Sequence, residues 1–184
     1  MIKNIRYFVL FLLLIISSSA RAEGGLKRYF DYLKYDISTT WNEGRVSAYV
    51  PFWAWHNRLT YDDEHIKKYN EEPWGFGLGL SRYDNEKNWH GLYAMGFKDS
   101  NNYLETFFGY AYIKNIILDD DQDWLFGYGY TLGLTQRHEY SYIPVPLPLP
   151  LLSFAYKKLS LNAAYVPGWK NDGNVLFTWM RVDF

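Results

Sequence analysis

The chain has 184 residues, a formal net charge of −1 and no cysteine, and 21% of its residues are aromatic. This length suits one domain, the lack of cysteine excludes disulfides, and the charge balance does not favour a nucleic-acid partner. Abundant aromatic residues with a mildly polar mean hydropathy are typical of a transmembrane β-barrel, in which lipid-facing and interior residues alternate. A secreted β-sandwich is the alternative, although it would not need so many outward-facing aromatic residues.

Residues 1–22 are predicted to form a secretory signal peptide. Two basic residues among the first six precede an apolar run over 7–16, and small residues follow it. This order is typical of a cleaved export signal, and the run is shorter than the roughly 20 residues that a membrane-spanning helix needs. Cleavage after Ala22 would leave residues 23–184 as a single domain.

The exported chain is predicted to begin with an amphipathic α-helix over about 24–41. Apolar residues recur there every three or four positions, and they are Leu26, Tyr29, Phe30, Leu33, Ile37 and Trp41. This spacing puts them on one helix face, which we expect to lie in the membrane interface. A helix packed on soluble protein is the alternative.

From about residue 45 to residue 184 the apolar pattern has a period of two, which predicts β-strands. Phe184 ends the last of them in a lipid-facing register. Strands are expected near 45–58, 74–83, 88–99, 103–115, 123–137, 150–157, 158–167 and 173–184. Eight is an even number, as closed antiparallel barrels of this kind require. The predicted fold is therefore all-β: an eight-stranded antiparallel transmembrane β-barrel preceded by the N-terminal amphipathic α-helix.

One segment interrupts the strand pattern. Prolines occupy every second position from Pro144 to Pro150, and proline cannot donate a ladder hydrogen bond. The segment is therefore predicted to be an extended loop that runs into an interrupted strand. With the helix on the periplasmic side, the outer rim would collect the ends of alternate strands, with His90 at the opposite end. These ends lie near 56–58, 98–101, 137–141 and 167–170.

The alternation also predicts what lines the interior. Large side chains suit the lipid face, so the glycines and threonines of 75–80 and 126–135 should face the lumen. An eight-stranded barrel is just wide enough for side chains or one small ligand, and small lining residues would leave room for a single hydrocarbon chain. Alternatively, these glycines relieve crowding in strongly coiled strands.

Three residues at the predicted outer rim could carry chemistry. His56 ends the first strand, and Asp99 and Ser100 end the third. A histidine, a carboxylate and a hydroxyl suit base-assisted acyl transfer. Solvated loop residues are the alternative interpretation, and His65 and His138 compete as rim histidines. No residue spacing favours a metal site.

Several stretches are similar to a known family. They are Trp55–Arg58, Tyr69–Gly75, Gly79–Arg82, Asn88–Ser100, Tyr142–Pro144, Pro167–Gly168 and Gly173–Arg181. In this order they cover nearly the whole exported chain, and they resemble PagP, the family of lipid A palmitoyltransferases of Gram-negative outer membranes. The similarity is weaker in the helix and over 101–124.

The resemblance implies an enzyme that moves a palmitoyl chain from the sn-1 position of a glycerophospholipid to a hydroxyl of lipid A, without a cofactor or a metal. It also implies that His56, Asp99 and Ser100 are catalytic and lie at the extracellular rim. The implied partners are the phospholipid donor, the lipid A acceptor and outer-membrane lipid, and we expect a monomer. A small structural barrel and a passive lipid-binding barrel are the non-catalytic alternatives.

The resemblance further implies lateral lipid access through two gaps where proline breaks the ladder. Pro51 and Pro73 correspond to one gap, and Pro150 and Pro167 to the other. A glycine on the lumen floor sets acyl-chain length in the best-known member of the family, and Ala111 stands at the matching position. The added methyl group predicts a shorter or less sharply selected chain.

Overall fold

A computed structural model describes residues 23–184, so the predicted signal peptide lies outside the described residues. Eight strands are present: β1 Arg45–His56, β2 Gly75–Tyr83, β3 Trp89–Lys98, β4 Leu104–Ile117, β5 Trp124–Gln136, β6 Val145–Tyr156, β7 Leu159–Val166 and β8 Val175–Asp183. The helices are α1 Glu23–Glu43, α2 Asp63–Lys68 in the β1–β2 connection, and a 3₁₀ turn, His138–Tyr140, after β5. The chain divides after Thr39 into two compact units.

The eight strands form one closed antiparallel barrel in chain order. The barrel closes where β1 pairs with β8, from Ser47 opposite Asp183 to His56 opposite Val175. Each strand therefore has two neighbouring strands, and along the paired parts of the wall the backbone hydrogen bonds are satisfied without water. The predicted fold is confirmed.

The two faces of the strands follow the predicted alternation. In β5, Phe126 and Tyr128 are exposed, whereas Thr131 and Thr135 are buried in the interior. The same pattern in β8 exposes Met180 and buries its neighbours on either side. Exposed large residues therefore surround the barrel, as a lipid-facing wall requires.

The interior is more densely filled than the small lining residues suggest. A Cβ atom built on Gly77 would meet Met95, one on Gly91 would meet Trp89, and one on Gly133 would meet Phe107. The glycines thus make room for large side chains of β3 and β4. The expectation that the glycines leave open space is wrong at Gly77 and Gly133, because side chains of neighbouring strands supply the volume that these glycines lack.

The proline-rich segment is a strand and not the predicted loop. β6 begins at Val145 and pairs with β5 without interruption, from Val145 opposite Thr135 to Tyr156 opposite Trp124. Because successive backbone N–H groups of a strand point to opposite edges, prolines at alternate positions all lack their donor on the same edge. The edge that faces β5 keeps every donor, so the strand forms there.

The ladder is incomplete at two places in the wall. β1 pairs with β2 only as far as Tyr49 opposite Gly77, and Pro51 follows just beyond this point. β6 pairs with β7 only from Leu151 opposite Ala164, directly after Pro150. Pro73 lies in the β1–β2 connection and Pro167 directly after β7. Each incomplete ladder thus has a proline in its strand and another in the adjoining connection.

The N-terminal helix α1 is slightly longer than the predicted 24–41. It ends at Glu43, where the Gly44 N–H donates to the carbonyl oxygen of Thr40 at 3.0 Å. Its aromatic side chains are exposed, and they are Tyr29, Phe30, Tyr32, Tyr35 and Trp41. None of the described helices is both long and apolar enough to cross a membrane. The location of α1 in the membrane interface stays a prediction.

Candidate active site

Two of the three predicted catalytic residues are hydrogen-bonded at one end of the barrel. β1 and β3 end at the same side, which brings His56 close to the turn that carries Ser100. The Nε2 atom of His56 lies 2.9 Å from the Ser100 Oγ. His56 is only 1% exposed, so its ring is held inside the barrel mouth and is not a solvated loop residue.

The other nitrogen of the His56 ring contacts Glu71, which the sequence analysis missed. His56 Nδ1 lies 3.0 Å from Glu71 Oε1, and the backbone N–H of His56 donates to the same oxygen at 3.0 Å. Arg58 donates to both carboxylate oxygens of Glu71, at 2.5 and 2.6 Å. These bonds from Arg58 hold the pKa of Glu71 at about 2, so this carboxylate is ionised at neutral pH.

Asp99 does not contact the His56 ring in the way that Glu71 does. Its Oδ1 accepts hydrogen bonds from the backbone N–H groups of Asn101 and Tyr103, at 2.8 and 2.9 Å. In the part of the chain that the structure describes, no hydrogen bond joins Asp99 to His56. Asp99 instead shapes the tight β3–β4 turn, and its buried Oδ2 lies 4.0 Å from the Arg137 guanidinium.

A short segment of the β1–β2 connection ties the two halves of the site together. We call residues 70–74 the strap. The N–H of Asn70 donates to the Ser100 carbonyl at 2.8 Å, and the N–H of Ala54 donates to the Glu71 carbonyl at 3.0 Å. The N–H of Lys98 donates to the Trp74 carbonyl at 3.3 Å. The strap therefore fixes the end of β1 against the end of β3.

Aromatic packing restricts the His56 ring further. The Tyr61 ring meets it edge-on and the Tyr69 ring lies tilted against it, each with a centroid distance of 5.1 Å. The competing histidines make other contacts. His65 bonds Asp62, and His138 stacks on Tyr103. No cluster of metal-ligating side chains occurs in the residues described, 23–184.

Comparison with known proteins assigns the family. The family described as "Antimicrobial peptide resistance and lipid A acylation protein PagP" matches residues 36–181. The chain belongs to the PagP family. It is an outer-membrane protein.

Similar curated PagP proteins cover most of the chain. "Lipid A acyltransferase PagP" of Yersinia pseudotuberculosis is 51% identical over 163 residues, which are 89% of this chain and 79% of that protein. The protein of the same name from Proteus mirabilis is 51% identical over 161 residues, 87% of this chain and 76% of that protein. Among solved structures, Neisserial surface protein A matches with 14% identity and a TM-score of 0.37, over 76% of this chain and 95% of that one.

Ala111, which the family resemblance implies is the determinant of acyl-chain length, faces the interior. Ala111 lies in β4 between Gly91 of β3 and Thr131 of β5. It is completely buried, and it belongs to the same apolar cluster as Trp89 and Ile113. A side chain added or removed here therefore changes the volume of the interior and not the lipid-facing surface.

Beyond the level of Ala111, toward the end of the barrel opposite His56, a charged group closes the interior. The Arg181 guanidinium lies over the Trp89 ring, 4.1 Å from its centroid. It donates to the hydroxyls of Tyr83 and Ser160 at 2.9 and 2.8 Å, and its Nε lies 3.0 Å from Asp183. This buried network is the floor of the lumen. His90 lies at the same end, opposite to His56, as predicted.

Proposed function

We propose that this PagP-family chain is an outer-membrane lipid A acyltransferase that moves a palmitoyl or similar chain from the sn-1 position of a glycerophospholipid to a hydroxyl of lipid A. The observation that carries the proposal is the bond between His56 Nε2 and Ser100 Oγ at the mouth of an apolar interior. The names of the relatives that are 51% identical support the same reaction. Phospholipid is the acyl donor and lipid A the acceptor.

The chemistry needs one proton acceptor and one oxyanion donor. His56 Nε2 takes the proton of the acceptor hydroxyl as its oxygen attacks the ester carbonyl of the donor. The Ser100 hydroxyl turns toward the carbonyl oxygen and donates to the negative charge that develops there. When the old ester bond breaks, the leaving glycerol oxygen takes the proton from His56. The proton is returned, so the reaction needs no external acid or base.

Asp99 acts on this chemistry through the turn. Its carboxylate holds the backbone N–H groups of Asn101 and Tyr103, which fixes the position of Ser100 between them and β3. Asp99 is therefore a positioning residue in the resting enzyme. Its second oxygen is buried without a hydrogen bond, which leaves one acceptor beside the site when lipid is bound.

The His56 end of the barrel is proposed to face the cell exterior. Outer-membrane barrels have short periplasmic turns and longer outer loops. The connections at the His56 end include 57–74 and 137–144, whereas β6 and β7 at the other end are joined through 157–158 alone. A cysteine at Lys67 should react with an impermeant maleimide on intact cells. Labelling only after the cells are broken would contradict the orientation.

A monomer is the proposed active form. The pairing of β1 with β8 closes the barrel within one chain, so none of the eight strands is left at the open edge of a sheet for pairing with a second copy.

One assay tests the proposed reaction against its alternatives. The purified protein in detergent receives a phospholipid labelled in its sn-1 chain together with lipid A. Labelled lipid A and unlabelled lysophospholipid are expected. Binding of phospholipid without turnover would instead indicate a passive lipid-binding barrel, and neither binding nor turnover would indicate a structural barrel.

Ala111 is expected to favour a shorter acyl chain, or to make the selection of chain length less sharp. Its methyl group occupies the buried level just before the lumen floor, so A111G should shift the product toward a longer, more sharply selected chain. One methylene in an apolar pocket changes selectivity by about 10-fold or more. Mass spectrometry of lipid A after incubation with mixed phospholipids measures the shift. A94G, on the lipid-facing side of β3, is the matched control. Sharp palmitate selectivity in both the unaltered protein and A111G would contradict the role of Ala111.

Closing a gap in the wall is expected to slow turnover without unfolding the barrel. Val50 and Phe76 are the next positions beyond the last β1–β2 pair, and Ala48 pairs with Leu78 inside the ladder. The chain has no other cysteine, so V50C/F76C and A48C/L78C each give a single possible cross-link. Oxidation should lower the rate by about 10-fold in the first variant because it obstructs lipid access, and a thiol reductant should restore it. Equal rates in both oxidised variants would exclude this gap as a route for lipid.

A further inference from the structure

We propose that Glu71, held by Arg58, is the residue that positions His56 for proton transfer. This inference rests on the proposed function, and it assigns to Glu71 the role that a carboxylate has beside a catalytic histidine. Glu71 Oε1 accepts a hydrogen bond from the backbone N–H of His56 at 3.0 Å. The same oxygen lies 3.0 Å from the ring Nδ1 of His56. Two contacts from one residue to one oxygen fix the ring relative to its own strand.

The bond to Glu71 determines which ring nitrogen carries the proton. An ionised carboxylate can only accept hydrogen bonds, so the proton of neutral His56 lies on Nδ1. Nε2 is then unprotonated, and it accepts from the Ser100 hydroxyl at 2.9 Å. This is the arrangement in which Nε2 can take a proton from an acceptor hydroxyl.

Arg58 keeps Glu71 in this position. Its two terminal nitrogens bond to the two oxygens of Glu71, and one of them also donates to the His56 carbonyl at 2.7 Å. The bidentate geometry is specific to arginine and resists rotation of the carboxylate. Residues 56, 58 and 71 therefore form a closed set of contacts around the end of β1.

The charged surroundings of His56 come from two parts of the chain. Glu71 and Arg58 lie in the β1–β2 connection, and Arg137 lies beyond β5. The two other groups packed on the ring, Tyr61 and Tyr69, are neutral at working pH because burial raises the pKa of each phenol. Glu71 is thus the one negative group in direct contact with His56 within the described residues, and its charge stabilises the protonated ring.

The test compares E71Q with E64Q. Both variants remove one negative charge from the β1–β2 connection, but Glu64 is exposed, lies in α2 and does not contact His56. E71Q should lower kcat on the order of 100-fold with little change in KM. The acidic limb of its pH–activity profile should move to lower pH, since the protonated ring loses its partner charge. E71D should recover part of the rate, and E64Q should match the unaltered protein.

A direct measurement separates this inference from the reaction itself. Nitrogen-15 NMR of labelled histidine reports the proton on Nδ1 in the unaltered protein, and E71Q should show a mixture of tautomers. An unchanged tautomer, together with unchanged kcat and pH profile in E71Q, would overturn the role of Glu71 and leave the proposed transfer intact. A protein with the expected tautomer but no acyl transfer would instead contradict the proposed function.

Discussion

Replacement of His56 by alanine is expected to lower acyl transfer by about 10²- to 10⁴-fold, which is the usual contribution of a positioned general base. His56 has the only ring nitrogen within hydrogen-bond distance of Ser100 among the described contacts. Without it, the acceptor hydroxyl must lose its proton to water. The labelled-phospholipid assay gives the rate, with the protein reconstituted at fixed concentration.

The H56A barrel is expected to stay folded. The backbone of residue 56 still pairs with Val175 of β8, and the wall of the barrel is otherwise unchanged. A heat-dependent change of mobility in a detergent gel shows that the barrel is intact. H65A is the matched control, because His65 also lies at this end of the barrel but its ring bonds to Asp62 and packs on Tyr69, with no contact to Ser100 among the described residues. Full activity in a folded H56A variant would refute the assignment of the base.

Replacement of Ser100 by alanine is expected to lower the rate by about 10²- to 10³-fold, the effect of losing one oxyanion donor. The change removes a single hydroxyl, and the Ser100 carbonyl still accepts from Asn70, so the strap keeps its position. KM for phospholipid should change little because the interior that holds the acyl chain is untouched. S141A, in the connection after β5, is a serine control at the same end.

The same residue can be tested for a covalent intermediate. Direct attack by lipid A leaves the enzyme unmodified throughout, so the intact mass should stay constant when phospholipid is present without acceptor. An acylated species that is absent in S100A would show that Ser100 is the nucleophile. A rate for S100A equal to that of the unaltered protein would exclude both roles.

The strands of the barrel wall were predictable because the alternation of residue types along a strand is a local feature of the sequence. Alternation along 126–135 and in the last strand assigns each side chain to a face, and the structure places these residues accordingly. The proline segment was misinterpreted for a physical reason. Proline removes one donor per residue, but whether that breaks a strand depends on which edge the donor would face. Periodicity within one strand does not reveal its neighbours on either side.

The candidate site was only partly predictable. His56 and Ser100 end strands of the same direction, so topology alone brings them to one rim. Glu71 lies in an irregular connection, where no period indicates the direction of a side chain. The opposite charges of Arg58 and Glu71 near the ends of that connection were the only available signal, and many loop charges have no such partner. Asp99 was predicted at the same rim, but its role in the turn depends on backbone donors that the sequence does not display.

The buried guanidinium at the lumen floor has a consequence for the membrane as a whole. Arg181 and the Trp89 ring beneath it are 1% and 3% exposed, and the hydroxyls and the carboxylate around them occupy the cross-section at that level. We therefore expect the described part of the barrel to offer water and ions no continuous aqueous path from one side to the other. A barrel closed in this way should take up lipid at one mouth without conducting current, so we expect the permeability barrier of the envelope to stay unchanged however many copies the cell makes.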